Sequence, residues 1–185
     1  MIKYCCHCGS DVVHKVPEGD SLLRAICEQC GHIQYQNPKL VVGCLPVYGD
    51  RILMCKRAIE PRYGLWTLPA GFMENNESAS EGAAREAIEE ANAKVEIEDL
   101  YTVYSIPHIN QVHMMFRAQL LDPDVSPGIE SLEVKLVTED EIPWDDIAFA
   151  TVRNTLTHYF NDQRKGAFGF HFGTIQPMTR TRPQP

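Results

Sequence analysis

Three carboxylates carry the most pointed chemistry in this chain. Glu86, Glu89 and Glu90 lie in the run GFMENNESASEGAAREAIEEANA at residues 71–93. A helix puts residues three and four apart on one face, where like charges repel by about 0.2–0.5 kcal/mol per pair. A solvated acidic face is the plain reading of any Glu run. A divalent cation is the sharper one, because carboxylate oxygens are hard ligands suited to Mg²⁺ or Mn²⁺.

A second set of residues has metal-ligand spacing of another kind. Cys5-x2-Cys8 and Cys27-x2-Cys30 form two knuckles, each followed by a glycine, Gly9 and Gly31. Four thiolates at this spacing read as a closed, tetrahedral, structural Zn²⁺ site. Such a site supplies folding energy that some thirty residues cannot draw from a core. Cys6 and His7 lie inside the first knuckle, but Cys6-x-Cys8 is too tight, which selects Cys5. Cys44 and Cys55 sit in apolar runs and read as buried hydrophobes.

The elements that must hold these groups are legible from periodicity. Residues 1–36 read as a ribbon, with short strands at 12–16 and 22–26. Residues 37–165 read as the main domain, and 166–185 as a C-terminal tail, loosely held from Thr174. Strands are expected at 40–47, 52–56, 65–68, 94–97, 100–106, 112–121 and 132–137. The acidic helix starts at a cap, Ser78 or Ser80, and runs to about Ala91. Its other face carries Ala83, Ala84, Ala87, Ile88 and Ala91, small enough for close packing on a sheet. A short helical turn is expected at 139–142. A second amphipathic helix spans 149–163, with Val152, Leu156, Tyr159 and Phe160 on one side. The pattern is α/β.

Charge and composition narrow the function. The net charge is −8 over 185 residues, the wrong sign for a general nucleic-acid binder. The ribbon holds only Lys3, Lys15 and Arg24 as cations. No apolar run approaches the roughly 20 residues of a membrane span. The N-terminus, MIKYCCHCGS, lacks the apolar core of a signal peptide. A cytoplasmic protein is expected, with no membrane and no nucleic-acid partner.

Gly71, Glu77, Arg85, Glu86, Ala87, Glu89, Glu90 and Ala93 fall in register with Gly-x5-Glu-x7-Arg-Glu-apolar-x-Glu-Glu-x-Gly-apolar. This resembles the Nudix box of the Nudix hydrolases. Asn92 stands where the family has Gly, and Asn is the next most tolerant residue for a left-handed turn. The resemblance covers about residues 40–165. It implies a Nudix α/β/α sandwich, here with a small N-terminal zinc ribbon, and metal-dependent hydrolysis of a diphosphate. It also implies roles. Glu86 and Glu90 are the principal ligands for catalytic Mg²⁺ or Mn²⁺, and Glu89 ligates metal or orients water. The Ala70 carbonyl is a further ligand. Arg85 braces the carboxylates, with Glu77 on its other side. Glu130 is the expected ligand from outside the box, and Glu133 the second choice for ligand, base or substrate contact. The site is expected to face solvent, so that Glu90→Gln should spare folding.

Substrate choice must come from outside the box. Arg57 and Arg62 flank the approach and are candidates to meet the diphosphate. Tyr63, Trp66, Phe72, Tyr104 and Phe116 are candidates for stacking, although most aromatics in such strands are core. The zinc ribbon also occurs in the NADH pyrophosphatase branch, but that branch's signature, starting Ser-Gln-Pro, is missing between residues 94 and 130. The blocks LRAIC, YQNPK, VVGC, GLWTLPAG, PGIESLE and FHFGTI resemble the plant FAD pyrophosphohydrolase type, which also acts on ADP-ribose. A homodimer acting on FAD or ADP-ribose is the expectation. The alternatives are an NADH/NAD diphosphatase or a catalytically weak nucleotide-sensing module.

Overall fold

The cysteine knuckles and the acidic helix fall in two different units, divided between Pro38 and Lys39. They are seen in a computed structural model that describes residues 2–177. The first unit is built on a three-stranded antiparallel sheet, β1 (Val13–Lys15), β2 (Arg24–Ile26) and β3 (Ile33–Gln34). Its strands are shorter than the apolar runs, and β3 has no apolar run of its own. Only Ala25 and Ile26 of these strands are buried, so the unit has almost no core apart from its thiols.

The second unit is a mixed sheet between two helices. Its elements are β4 (Lys39–Tyr48), β5 (Arg51–Arg57), β6 (Trp66–Thr67), β7 (Ala70–Phe72), α1 (Ala79–Ala91), β8 (Val95–Ile106), β9 (Gln111–Leu120), β10 (Ser131–Val137), α2 (Ala150–Lys165) and β11 (His171–Thr174). The order is β10-β5-β4-β9-β8-β11, with β6 beside β5 and β7 beside β4. The β4–β9 and β8–β11 pairs are parallel; the others are antiparallel.

Alternation along the strands decides which helix each side chain meets. Cys44, Leu53, Cys55, Phe116 and Leu120 pack with Ala83, Ala87 and Ala91 of α1. Leu45, Met54, Tyr101 and Met115 pack with Val152, Leu156, Tyr159 and Phe160 of α2. Trp66 joins this second core, and Tyr104 and Phe116 are also buried. Those three expected stacking candidates are therefore packing residues.

Helix α1 takes Ser78 as its cap. Ser78 and Glu81 form a reciprocal capping box, which satisfies two of the free amides at the helix start. Asn92 ends the helix in the left-handed conformation, at φ 49°, as the chain needs there.

Three expectations about elements change. The strands expected at 94–97 and 100–106 are one strand, β8, because irregular register between Ile97 and Thr102 absorbs the polar Glu98-Asp99. Ala70–Phe72, where no strand is expected, is one and pairs with Val41–Gly43 of β4. The tail expected from residue 166 contains β11, which pairs with Thr102–Ser105 of β8. The part of the tail from residue 178 lies outside the described residues. Among those described, no helix is long and apolar enough to cross a membrane.

Candidate functional site

In the first unit the sulfurs of Cys5, Cys8, Cys27 and Cys30 all lie within 4.8 Å of one another. Cys5 and Cys30 are 3.7 Å apart, and Cys8 and Cys27 are 3.4 Å apart. A zinc–sulfur bond of about 2.3 Å gives tetrahedral sulfur separations of about 3.8 Å. The cluster therefore fits zinc in size and in donor chemistry. Both knuckles turn alike: Gly9 N–H donates to the Cys5 carbonyl and Gly31 N–H to the Cys27 carbonyl, each at 2.9 Å. Cys6 is exposed, with its sulfur 3.5 Å from His32 Nε2, outside the cluster.

The second site gathers on α1. Arg85 is its hub. Its Nε and one terminal nitrogen donate to the two oxygens of Glu77 at 3.0 and 2.9 Å. Its other terminal nitrogen donates to Glu86 Oε1 at 2.7 Å and Glu89 Oε2 at 2.9 Å. The terminal nitrogen that meets Glu77 also donates to the Phe72 carbonyl at 3.1 Å, which ties α1 to β7. Glu77 in turn accepts from the Glu74 N–H at 2.7 Å. The Arg85 hydrogen bonds, with that amide, hold the Glu77 carboxyl down at about 2. One guanidinium thus fixes three carboxylates, as its planar fork allows.

Glu86 and Glu90 face inward. Glu86 is 7% exposed and Glu90 4%. Burial raises the Glu86 carboxyl, against the pull of Arg85. Burial, and then the charge of Glu86, push Glu90 up to about 8, while the Ala70 amide and Arg57 act the other way. The expected solvent-facing position of Glu90 is therefore corrected: its carboxyl lies inside the fold. Gly71 makes room for this, because a Cβ there would overlap the Glu86 carboxylate.

The Glu130 carboxylate adds to the charge felt by both Glu86 and Glu90. The chain brings it there by sealing the end of α1. Ser126 N–H donates to the Ala91 carbonyl and Gly128 N–H to the Glu90 carbonyl, at 3.1 and 2.9 Å. These are orphan carbonyls of a helix terminus. A Cβ at Gly128 would overlap the Glu89 carbonyl oxygen, so only glycine lets the loop lie this close. The Asn92 side chain donates to the Ser126 carbonyl and hydroxyl at 3.1 Å each. Asn at the glycine position of the box thus adds a tie that glycine lacks. Nothing in the local sequence signals that tie, which depends on a residue 34 positions away.

The other expected residues divide. Arg57 is nearly buried; its Nε donates to the Pro61 carbonyl at 2.9 Å and its guanidinium lies over Phe149. Its charge reaches Glu90. Arg62 is exposed, on a turn with φ 73°. Glu133 is turned to the lysines: 2.7 Å from Lys135 Nζ and 3.9 Å from Lys56 Nζ. Each of its two oxygens is engaged by one of these lysines. Cys55 is buried, as its apolar run implies, and burial, followed by the charge of Glu90, raises its thiol.

Hard oxygen donors, two of them buried with like charge, suit a divalent cation as their counter-charge. Among the described residues the glutamate oxygens do not gather as tightly as the four thiols, although one Arg85 nitrogen holds an oxygen of Glu86 and one of Glu89 at 2.7 and 2.9 Å.

Two family profiles match this chain, one over each unit. A profile of the NUDIX domain matches residues 37–159, and one of the Nudix N-terminal zinc ribbon matches residues 3–36. The crystal structure of a NUDIX hydrolase from Nitrosomonas europaea is similar, with a TM-score of 0.93 and 57% identity over 95% of this chain and 100% of that one. The NAD-capped RNA hydrolase NudC of Photorhabdus laumondii is 31% identical over 83% of this chain. An ADP-ribose pyrophosphatase of Methanocaldococcus jannaschii is 26% identical over 59% of this chain and 67% of its own length. The chain spans 56% of the length of the Photorhabdus protein. With the box carboxylates on α1, the sandwich around them and the profile over most of its length, this chain belongs to the Nudix family.

Proposed function

We propose that the chain hydrolyses the diphosphate bridge of a nucleoside diphosphate linked to a second group, with FAD or ADP-ribose as substrate. The observation that carries this reading is the buried pair Glu86–Glu90, joined by Glu130 and braced through Arg85. Glu86, Glu90, Glu130 and the Ala70 carbonyl would hold Mg²⁺ or Mn²⁺. When bound, the cation would offset the adjacent charges of the bridge and make water a better nucleophile at neutral pH.

The chain's own groups do the rest. Glu89 is half exposed and spends one oxygen on Arg85, leaving the other to orient the attacking water and accept its proton. The water oxygen bonds to phosphorus as the bridging P–O bond breaks. The bond electrons pass to the leaving phosphate oxygen, and two phosphate monoesters result. Arg85 keeps Glu86 and Glu89 in fixed rotamers, which removes reorganisation from the barrier. Arg57, in contact with Phe149 and beside Glu90, supplies positive charge next to the carboxylates.

Incubation of purified protein with Mg²⁺ and FAD should release FMN and AMP; ADP-ribose should release ribose 5-phosphate and AMP. Failure to cleave FAD, ADP-ribose and NADH alike would sink the enzymatic reading. A second reading, an NAD-type diphosphate as substrate, is favoured by the likeness to the NAD-capped RNA hydrolase over 83% of this chain. Side-by-side turnover of NADH and FAD separates the two.

A further inference from the structure

The strand register shows an apolar strip that begins at the carboxylates. Gly71, under Glu86, pairs with Val42; Val42 pairs with Met114, Met114 with Val103, and Val103 with Phe172. Paired residues on neighbouring strands share a face. This face is the α1 side, because a Cβ on Gly82 of α1 would lie 2.8 Å from Val42 Cγ2.

Helix α1 covers only the start of the row. Val42 is fully buried, Met114 and Val103 are half-buried, and Phe172 is 79% exposed. The row beside it, Leu40–Val112–Ser105–Thr174, is also partly open and carries no charge. Phe170 stacks on Phe172 with ring centroids 6.0 Å apart and is 55% exposed. At about 4.8 Å per strand, Met114 lies about 10 Å from Gly71, Val103 about 14 Å and Phe172 about 19 Å.

We infer that this strip is the subsite for a flat, uncharged heteroaromatic ring of the substrate, with Met114 and Val103 as its floor and Phe172 as its outer wall. The inference rests on the diphosphatase reading, because it takes the diphosphate to lie over Glu86. Three features select such an occupant. The strip is continuous with the carboxylates, so a ring tethered to the diphosphate reaches it. It lacks any charged side chain, so it does not suit a phosphate or a sugar acid. It ends in an aromatic pair that offers a face for stacking. Phe172 lies beyond residue 159, where the family profile ends, so this wall belongs to the chain's own C-terminal strand.

The test separates binding from turnover. FAD is titrated into the 185-residue chain without added Mg²⁺ and followed by flavin fluorescence, with ADP-ribose as competitor; kcat and KM are then measured with Mg²⁺. Phe172→Ser and Met114→Gln should each weaken FAD binding and raise KM about 10-fold, with kcat within about twofold of wild type on the same basis. Phe172→Tyr should restore both. Loss for FAD alone places the flavin ring on the strip; loss for both ligands places the adenine there. Unchanged affinity and KM in both variants overturns the subsite. So does a Phe172→Ser protein that only changes its oligomeric state, since the strip would then be a contact between copies. Wild-type protein that binds FAD with Phe172 dependence but cleaves nothing would overturn the hydrolase reading and leave the subsite standing.

Discussion

Glu90 sets charge against burial more sharply than any other residue of the site. Its carboxyl ionises at about 8 in the fold, against about 4.3 in an unfolded chain. A raised carboxyl gives stability that is fully present below the unfolded value and is lost as pH rises through the folded one. Without added Mg²⁺, stability should therefore fall between about pH 4.3 and 8. Glu90→Gln should flatten that slope and leave the fold at least as stable at pH 8, since the amide buries no charge. Urea unfolding of both proteins at pH 5 and pH 8 measures this. An unchanged slope in the variant would show that Glu90 is not its source. The same variant should lose more than the ~100-fold that outer contacts to a metal ligand usually cost, and normal turnover would refute its role as ligand. Arg85 acts through others, so Arg85→Lys should cost about 10–100-fold in activity. A lysine has no planar fork to hold Glu77, Glu86 and Glu89 together, and Mg²⁺ affinity should fall in parallel. A full-activity Arg85→Lys enzyme would mean that the brace is dispensable.

At the scale of elements, α1 and the loop over its C-terminus form one device. The helix was legible in the sequence because its signals are local: a Ser cap, a Glu three residues on, small residues on one face and Asn at the stop. The β4–β5 hairpin, β9, β10 and α2 were legible for the same reason, each having its own period. The loop at 122–130 showed only its turn residues, yet Gly128 and Ser126 close the helix end and set Glu130 beside the buried pair. Strand β7 was hidden because three residues carry no period; β4 opposite makes it a strand. Burial of Glu90 was hidden too, since box spacing puts three glutamates on one helix face without saying how far the sheet covers it. Gly128→Ala should overlap the Glu89 carbonyl and cost about 1–3 kcal/mol, as overpacking does. Asn92→Gly keeps the left-handed turn but gives up the two bonds to Ser126, a loss of about 1 kcal/mol. Both should weaken Mg²⁺ binding by freeing Glu130, with Gly128→Ala the stronger. Isothermal titration with Mg²⁺ checks the order, and equal affinities in all three proteins would separate the loop from the metal site.

At the scale of the whole molecule, the question is what keeps β11 on the edge of the sheet. Among the described residues its four residues pair with one neighbour only, too little for an independent strand. The fastening is Asp162 of α2, which is 4% exposed. It accepts from His171 Nε2 at 2.6 Å, from the Tyr101 hydroxyl at 3.0 Å and from Gly169 N–H at 3.2 Å. Although desolvation works to raise its carboxyl, these three donors hold it down at about 2. A depressed carboxyl gives stability that is present above the unfolded value of about 3.9 and lost as pH falls through the folded one. The strand's hold should therefore weaken only below about pH 4. Asp162→Ala should remove it at neutral pH, leaving buried donors unpaired at a local cost of about 3 kcal/mol. Hydrogen exchange should then quicken across 169–175, including the Ile175 amide that donates to the Ser105 carbonyl at 2.9 Å, while β4 and β9 stay protected. Since Phe172 rides on β11, KM for FAD should rise with kcat little changed, and the box carboxylates should bind Mg²⁺ as before. Fast exchange at 169–175 with an unaltered KM would show that the strand's position does not matter to substrate. Slow exchange would show that the sheet, rather than Asp162, holds the strand.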